Sequence, residues 1–331
     1  MCFLVCLLCI STSLRAWGGG GQEASADPRW AILVFGSSGD PELQQRYLKE
    51  LSDLRALLEG TLGLPHGQVY ALFDDPKASP AQIQYQSTKE NLAKVCREIA
   101  ARSGADDTVF VFFDGHGSFD GKTYKLNLVG LDPAAEELAA MLYSVPARRF
   151  LVVNNTSCSG ASVAAFSGKG KVVVAATRSG NEKLVTRLAG YFIEAFAGNN
   201  ADVDKNGRVS IFEAFDYAAH KVEAYYTKEG SLPTEHPVLN DNGDEQALSL
   251  ADAEGRSNLL ARTSYLDRGS PLLAGGSSPE SQALAKEAQL LEKQIEVLKS
   301  AKDELSEEEY MKRLEELLLK LADVQARLRK K

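Results

Sequence analysis

Five short apolar runs rich in β-branched and aromatic residues recur along the first half of the chain: Trp30 to Phe35, Val69 to Phe73, Thr108 to Phe113, Phe150 to Val153 and Lys171 to Ala175. Between them the apolar positions change period. Leu43, Tyr47, Leu51, Leu54 and Leu58 share one helical face across Pro41 to Leu58, and Leu92, Val95 and Ile99 share another across Thr88 to Ala101. Strands alternating with amphipathic helices predict an α/β domain built on a mostly parallel sheet with helices on both faces. Ser87, with Glu90 three residues on, has the capping-box spacing that would start the second helix.

After about residue 250 the pattern changes. Gly269 to Ser281 contains Gly-Gly-Ser-Ser-Pro and reads as flexible, so 251–280 is expected to be a linker. Leu284, Leu291, Ile295 and Leu298 then mark one helix, and Tyr310, Leu314, Leu317, Leu321, Val324 and Leu328 mark another. Leu305-Ser306-Glu307-Glu308-Glu309 supplies a capping box for the second helix, with Leu305 as its staple. Two such stripes over 281–331 predict a helical hairpin or coiled coil. Its apolar faces need its own other arm, the α/β domain, or a further protein chain through partner binding or self-association.

With 331 residues and 44% hydrophobic composition, the chain can bury one sizeable core and still carry a smaller appendage. A net charge of -8 and the lack of a basic stripe argue against nucleic acid as a partner. Met1 to Leu14 is largely apolar but too short to span a bilayer, and no other spanning segment follows. Residues 1–26 instead read as a signal peptide, with Cys2 to Ile10 as its apolar region and Ala24-Ser25-Ala26 as its cleavage site, although no Lys or Arg precedes the apolar run. Export to a periplasm or the exterior is the expectation, with no stable membrane span in the mature chain. Loss of the leader removes Cys2, Cys6 and Cys9, which leaves Cys96 and Cys158 and no disulfide framework. Cys96 lies at helical spacing from Leu92 and Ile99 and reads as a buried structural thiol.

In open α/β sheets, sites form at the carboxyl ends of strands. Asp114-Gly115-His116-Gly117 follows the third apolar run and Asn154 to Gly160 follows the fourth. Thiol peptidase chemistry needs a thiolate, an imidazole to carry its proton, and backbone donors aimed at an oxyanion. His116 and Cys158 supply the first two, and the N–H groups of Gly117 and Cys158 are the candidate oxyanion donors.

These stretches resemble the legumain-like and caspase-like cysteine peptidases over residues 30 to 250. The similarity is carried in order by Val69-Tyr-Ala-Leu-Phe-Asp-Asp75, Phe110-Val-Phe-Phe-Asp-Gly-His-Gly-Ser118, Val152-Val-Asn-Asn-Thr-Ser-Cys-Ser-Gly160 and Ala175-Ala-Thr-Arg-Ser-Gly-Asn-Glu182. The resemblance implies a caspase-like fold and a cysteine-type endopeptidase acting on polypeptides, with His116 as proton shuttle and a Cys on the next strand, here 42 residues on, as nucleophile. The chain departs from the pattern in one place. In the legumain-like register the nucleophile stands three positions before the Gly, where this chain has Ser157, and Cys158 matches the caspase-like register two positions before it. A one-residue shift at a strand end turns the side chain to the other side, so only one of the two can face His116. Ser38 stands where the legumain-like first strand carries an Asn. The alternative function is a catalytically inactive, peptidase-like interaction scaffold that binds calcium.

The calcium expectation comes from Asp202-Val-Asp204-Lys-Asn206-Gly207-Arg208-Val-Ser210-Ile-Phe-Glu213, which fits the twelve-residue EF-hand loop. Asp202, Asp204, Asn206 and Ser210 offer side-chain oxygens, Arg208 its carbonyl, Glu213 a bidentate carboxylate, and Gly207 the turn. Helices are expected on either side, at Leu188 to Ala197 and Ile211 to Tyr226. Asn240-Asp241-Asn242-Gly243-Asp244 could form a second, poorer cation turn. His220 and His236 stand apart from other soft ligands, so zinc is not expected.

Overall fold

The computed structural model describes residues 28–268 apart from 199, 244–245 and 255–257, together with 279–300 and 305–329. The leader expected at 1–26 and the Gly-rich part of the expected linker lie outside the described residues. The strands are β1 (Arg29–Phe35), β2 (Val69–Phe73), β3 (Tyr85–Gln86), β4 (Thr108–Gly115), β5 (Gly117–Phe119), β6 (Tyr124–Leu126), β7 (Arg149–Thr156), β8 (Lys171–Ala175), β9 (Val238–Asn240) and β10 (Leu248–Ser249). The helices are α1 (Pro41–Ala56), α2 (Lys89–Ala100), α3 (Ala135–Leu142), α4 (Val163–Phe166), α5 (Leu188–Ala195), α6 (Ile211–Glu229), α7 (Leu250–Glu254), α8 (Leu259–Arg262), α9 (Pro279–Ser300) and α10 (Glu307–Arg329).

Eight strands form one mixed sheet in the order β10-β9-β8-β7-β4-β1-β2-β3, and β5 and β6 make a separate antiparallel pair. Every pairing from β3 across to β8 is parallel, and β9 and β10 close the far edge antiparallel. The strands are apolar at consecutive positions because both faces are covered, as parallel sheets require. Ala31, Leu33 and Phe35 of β1 meet Tyr47, Leu51 and Leu54 of α1, Leu188 and Phe192 of α5, and Phe215 and Ala218 of α6. Trp30, Ile32 and Val34 point the other way, into a cluster with Leu92, Val95 and Ile99 of α2, Leu138 of α3 and Phe166 of α4. Cys96 sits in that second cluster, where burial pushes its thiol up to about 12, as befits a structural residue.

Local capping accounts for the helix starts. Asp40 accepts hydrogen bonds from the N–H groups of Glu42 and Leu43, both at 2.9 Å, with Pro41 in the first turn. α2 begins one residue later than its expected cap. Thr88, not Ser87, accepts from Asn91 N–H at 3.2 Å, while Ser87 is held by backbone bonds to Phe73 and Val129. The third and fourth apolar runs also extend further than their hydropathy suggests. β4 continues through Asp114 to Gly115 and β7 through Asn154 and Asn155 to Thr156, so part of the expected loop is paired strand.

At the C-terminus α9 and α10 pack against each other through Leu284, Ala288, Leu291, Val324 and Leu328, flanked by Leu317 and Leu321. Ser306 caps α10 by accepting from Glu309 N–H at 3.3 Å. The hairpin touches the α/β domain where Glu292 of α9 meets Arg208 at 3.7 Å. Among the described residues no helix is long and apolar enough to cross a membrane.

Phe112 of β4 is fully buried, with the rings of Phe35, Phe110 and Phe192 centred 6.1–6.4 Å away. Phe112→Ala is expected to lower unfolding free energy by about 3–5 kcal/mol in a urea titration.

Candidate active site

β4 and β7 are neighbours, and their last paired residues are Gly115 and Thr156, so His116 and Ser157 are the next residues out on adjacent strands. Gly115 turns the chain with φ +123°, a conformation suited to glycine, and an added Cβ would press on Gly36 at 3.1 Å. Gly117 then starts β5 in close contact with the end of β7. Its N–H donates to Ser157 Oγ at 3.1 Å and Ser157 Oγ–H donates to its carbonyl at 2.9 Å. A side chain at 117 would overlap the Ser157 carbonyl oxygen and the Tyr124 ring. Ser157 is therefore fastened to the turn that carries His116.

Cys158 follows in the left-handed region, with φ +60°. Its side chain is 1% exposed and belongs to the apolar cluster that holds Tyr124, Val163 and Phe166. Burial pushes the pKa of the thiol up, making it a weaker acid than an ordinary cysteine, and Lys183 offsets only part of that. Among the described residues no hydrogen bond joins the half-exposed His116 imidazole to Ser157 or Cys158. Both candidate oxyanion donors are already engaged: Gly117 N–H with Ser157 Oγ, and Cys158 N–H with the Glu182 carbonyl at 2.8 Å. The turn after Cys158 is equally committed. Gly160 N–H donates to Thr177 Oγ1 at 2.9 Å, and Thr177 N–H donates to Ser159 Oγ at 3.1 Å. Ser38 gives its N–H and hydroxyl to Asp74.

Several residues that shape the site were given no role of their own by the sequence. Asn155 donates to Asp114 Oδ1 at 2.7 Å beneath the strand ends. The Tyr124 hydroxyl bonds Thr156 Oγ1 at 2.6 Å and accepts from Asn154 Nδ2 at 3.2 Å. The Glu182 carboxylate accepts from the N–H groups of Arg178 at 3.0 Å and His236 at 3.1 Å and meets His236 Nδ1 at 2.6 Å, so it staples two distant loops together under Cys158. The residue before His236, Glu235, accepts from Arg187 N–H and from Tyr226 Oη, and burial raises its carboxyl to about 7.

The acidic loop lies elsewhere, ahead of α6. Ligand oxygens of Asp202, Asp204 and Glu213 lie within 4.8 Å of one another. Gly207 has φ +82°, as the turn demands. Ser210 caps α6: its N–H and hydroxyl bond Glu213 Oε2 at 2.9 and 2.8 Å, and its Oγ accepts from Glu213 N–H at 3.2 Å. Asn206 is tied to Asp204 and to Tyr265, and its Oδ1 accepts from Arg208 N–H at 2.9 Å. The Arg208 side chain turns away, stacks on Tyr265 at 3.6 Å and grips Asp267. An all-oxygen donor set of this kind fits a hard divalent cation. The expected second turn is used differently. Asp241 Oδ2 accepts from Ala261 N–H at 3.0 Å at the start of α8, and Asp244 lies outside the described residues. His220 bonds within α6 and His236 bonds Glu182, so neither joins a metal cluster among the described residues.

The Glu235 value defines a pH window. An unfolded Glu titrates near ~4.3. Raised in the fold, the carboxyl favours the native state most below that value, and the stability is lost as pH climbs towards about 7. Glu235→Gln is expected to remove this slope, worth on the order of 3 kcal/mol, from urea midpoints measured across the window.

No family model matches the chain, and no curated protein matches it. Among solved structures it overlaps with the crystal structure of protein GSU0716 from Geobacter sulfurreducens, at 14% identity and a TM-score of 0.42, over 64% of this chain and 92% of that one. A likeness at that level carries no argument about function.

Proposed function

We propose that the chain is a catalytically inactive relative of the legumain-like and caspase-like cysteine peptidases, an exported scaffold that binds calcium at the loop from Asp202 to Glu213 and meets partners through its C-terminal hairpin. One observation carries this reading. The thiol of Cys158 is buried in an apolar cluster with its backbone N–H spent on Glu182, while Ser157 takes the place beside the His116–Gly117 turn and bonds Gly117 through both its donor and its acceptor. A nucleophile needs an ionised thiol in reach of a base, and a substrate carbonyl needs unspent donors. Both needs go unmet in this arrangement. The family resemblance and the largely parallel sheet, with His116 and the Cys158 turn at adjacent strand ends, support the ancestry.

For calcium, the support is the oxygen donors of Asp202, Asp204 and Glu213 drawn together. A bound cation would offset the mutual repulsion of three carboxylates, and a single loop of this kind suits a compartment rich in calcium. A second reading keeps the His116 and Cys158 dyad as a cysteine-type endopeptidase acting on polypeptides. It is favoured by the position of the His116 imidazole, half-exposed at the strand end next to the one that leads to Cys158.

The deciding experiment is the rate of Cys158 alkylation at neutral pH in wild type and in His116→Ala. Slow labelling, unchanged by the substitution and with no peptide hydrolysis, is expected for the scaffold; fast labelling that collapses in His116→Ala would establish the peptidase instead. Calcium is expected to raise the unfolding midpoint of wild type and not of Glu213→Gln. The stabilisation should reach about 2.7 kcal/mol when free calcium is about a hundred times its dissociation constant, and an equal response in both proteins would exclude the loop as the site.

A further inference from the structure

Beneath the His116 turn, three buried oxygens on two elements have no hydrogen-bond partner: Tyr47 Oη and Glu50 Oε2 on α1, and Asp114 Oδ2 on β4. The other half of each carboxyl is fully used. Asp114 Oδ1 accepts from Gly115 N–H at 2.8 Å and from Asn155 Nδ2 at 2.7 Å, and Glu50 Oε1 takes Arg46 Nε at 3.0 Å. Asp114 is 1% exposed, and the Glu50 side chain lies within hydrogen-bond reach of it. Ionised carboxylates are acceptors only, so two of them facing each other here would leave both inner oxygens bare and two like charges out of water. One proton between them removes both faults.

We propose that Asp114 folds as the neutral acid, its Oδ2–H donating to Oε2 of the Glu50 carboxylate, so that the joint between α1, β4 and β7 is a proton-binding site whose occupancy holds the His116 turn in place. The surrounding groups favour this assignment of the proton. From α1 and its cap the site meets Asp40, Arg46, Tyr47 and Glu50, from β4 only Asp114, and from β7 the untitratable Asn155. α5 presents Gly190, where an added Cβ would stand 3.9 Å from Glu50 Oε1. Arg46 is the one cation in this set. It bonds Glu50 and, through Nη2, the Thr186 carbonyl at 2.6 Å, so its positive charge sits against Glu50 and none of its hydrogen bonds goes to Asp114. Burial, then Glu50, hold the Asp114 carboxyl well above the usual carboxylate range. Burial likewise holds the Tyr47 hydroxyl neutral.

The consequence runs along β4. Asp114 lies two residues before His116, its Oδ1 holds the N–H of the Gly115 turn, and its carbonyl accepts from Gly36 N–H at 2.8 Å. Loss of the proton puts a second negative charge against Glu50 and pushes α1 from this turn. Stability is therefore greatest in acid and declines as pH rises from the unfolded carboxylate range towards the folded value. The inference holds for either reading of the Cys158 turn.

The test follows the carboxyl carbon of Asp114 by NMR in the folded full chain, assigned from its loss in Asp114→Asn, alongside thermal unfolding of both proteins from mildly acidic to alkaline pH. The expected result is a resonance at the protonated position at neutral pH, a wild-type unfolding temperature that falls towards alkaline pH, and an Asp114→Asn temperature that falls less steeply, keeping only the decline due to Glu235, and exceeds wild type at alkaline pH. Should Asp114→Asn not fold, Glu50→Gln serves instead, since an amide donor facing Oδ2 should shift the Asp114 titration to lower pH. An Asp114 carbon at the ionised position at neutral pH overturns the proposal. So does an Asp114→Asn protein with the wild-type pH slope, or a Glu50→Gln protein in which the Asp114 titration does not move.

Discussion

The pairing of β4 with β7 is the constraint on which the rest of the molecule depends. These strands lie inside the sheet and pair without a break from Thr108 and Arg149 to Gly115 and Thr156. Their apolar lengths hold the two helical layers apart at a fixed spacing, and their polar ends meet as a small hydrogen-bonded layer of Asp114, Asn155, Asn154 and Thr156. Because that layer is buried, each group needs a partner, and the partners dictate where the neighbouring loops run. Thr186 Oγ1 reaches back to the Asn155 carbonyl and the Ala189 N–H to its Oδ1, which fixes the entry to α5.

The apolar part of this arrangement was legible in the sequence. β2 and β8 run over the same residues as their hydropathy runs, because strands covered on both faces are apolar at every position. The faces of α1 and α2 followed from residues such as Leu51 and Ile99 at helical spacing. The convergence of Asp202, Asp204 and Glu213 was legible for a different reason: these carboxylates come from one contiguous stretch with a fixed turn, so bringing them together needs no knowledge of the fold.

The polar ends were not legible. Asp114 and Asn155 look like loop residues because their stabilisation comes from one another across the sheet, and hydropathy has no memory of a partner 41 residues away. Glu182 and His236 are further apart still, 54 residues, and neither belongs to a repeating pattern. The choice between Ser157 and Cys158 was open because strand alternation ends where the chain leaves β7. Cys158 adopts a positive φ there, and its side chain turns into the layer of α2, α3 and α4.

That conformation has a consequence for how the molecule opens. A left-handed L-residue costs roughly 1–2 kcal/mol, so the turn stays wound only while something opposes its relaxation. Here the opposition comes from the burial of the thiol and from the bond between Cys158 N–H and the Glu182 carbonyl, and Glu182 in turn is gripped by Arg178 and His236. The turn from Cys158 to Gly160, the loop through Glu182 and the segment around His236 are therefore one cooperative unit. Local unfolding of any of the three releases the strain held by the others, and the smallest opening of this end of the sheet is the loss of all of them together.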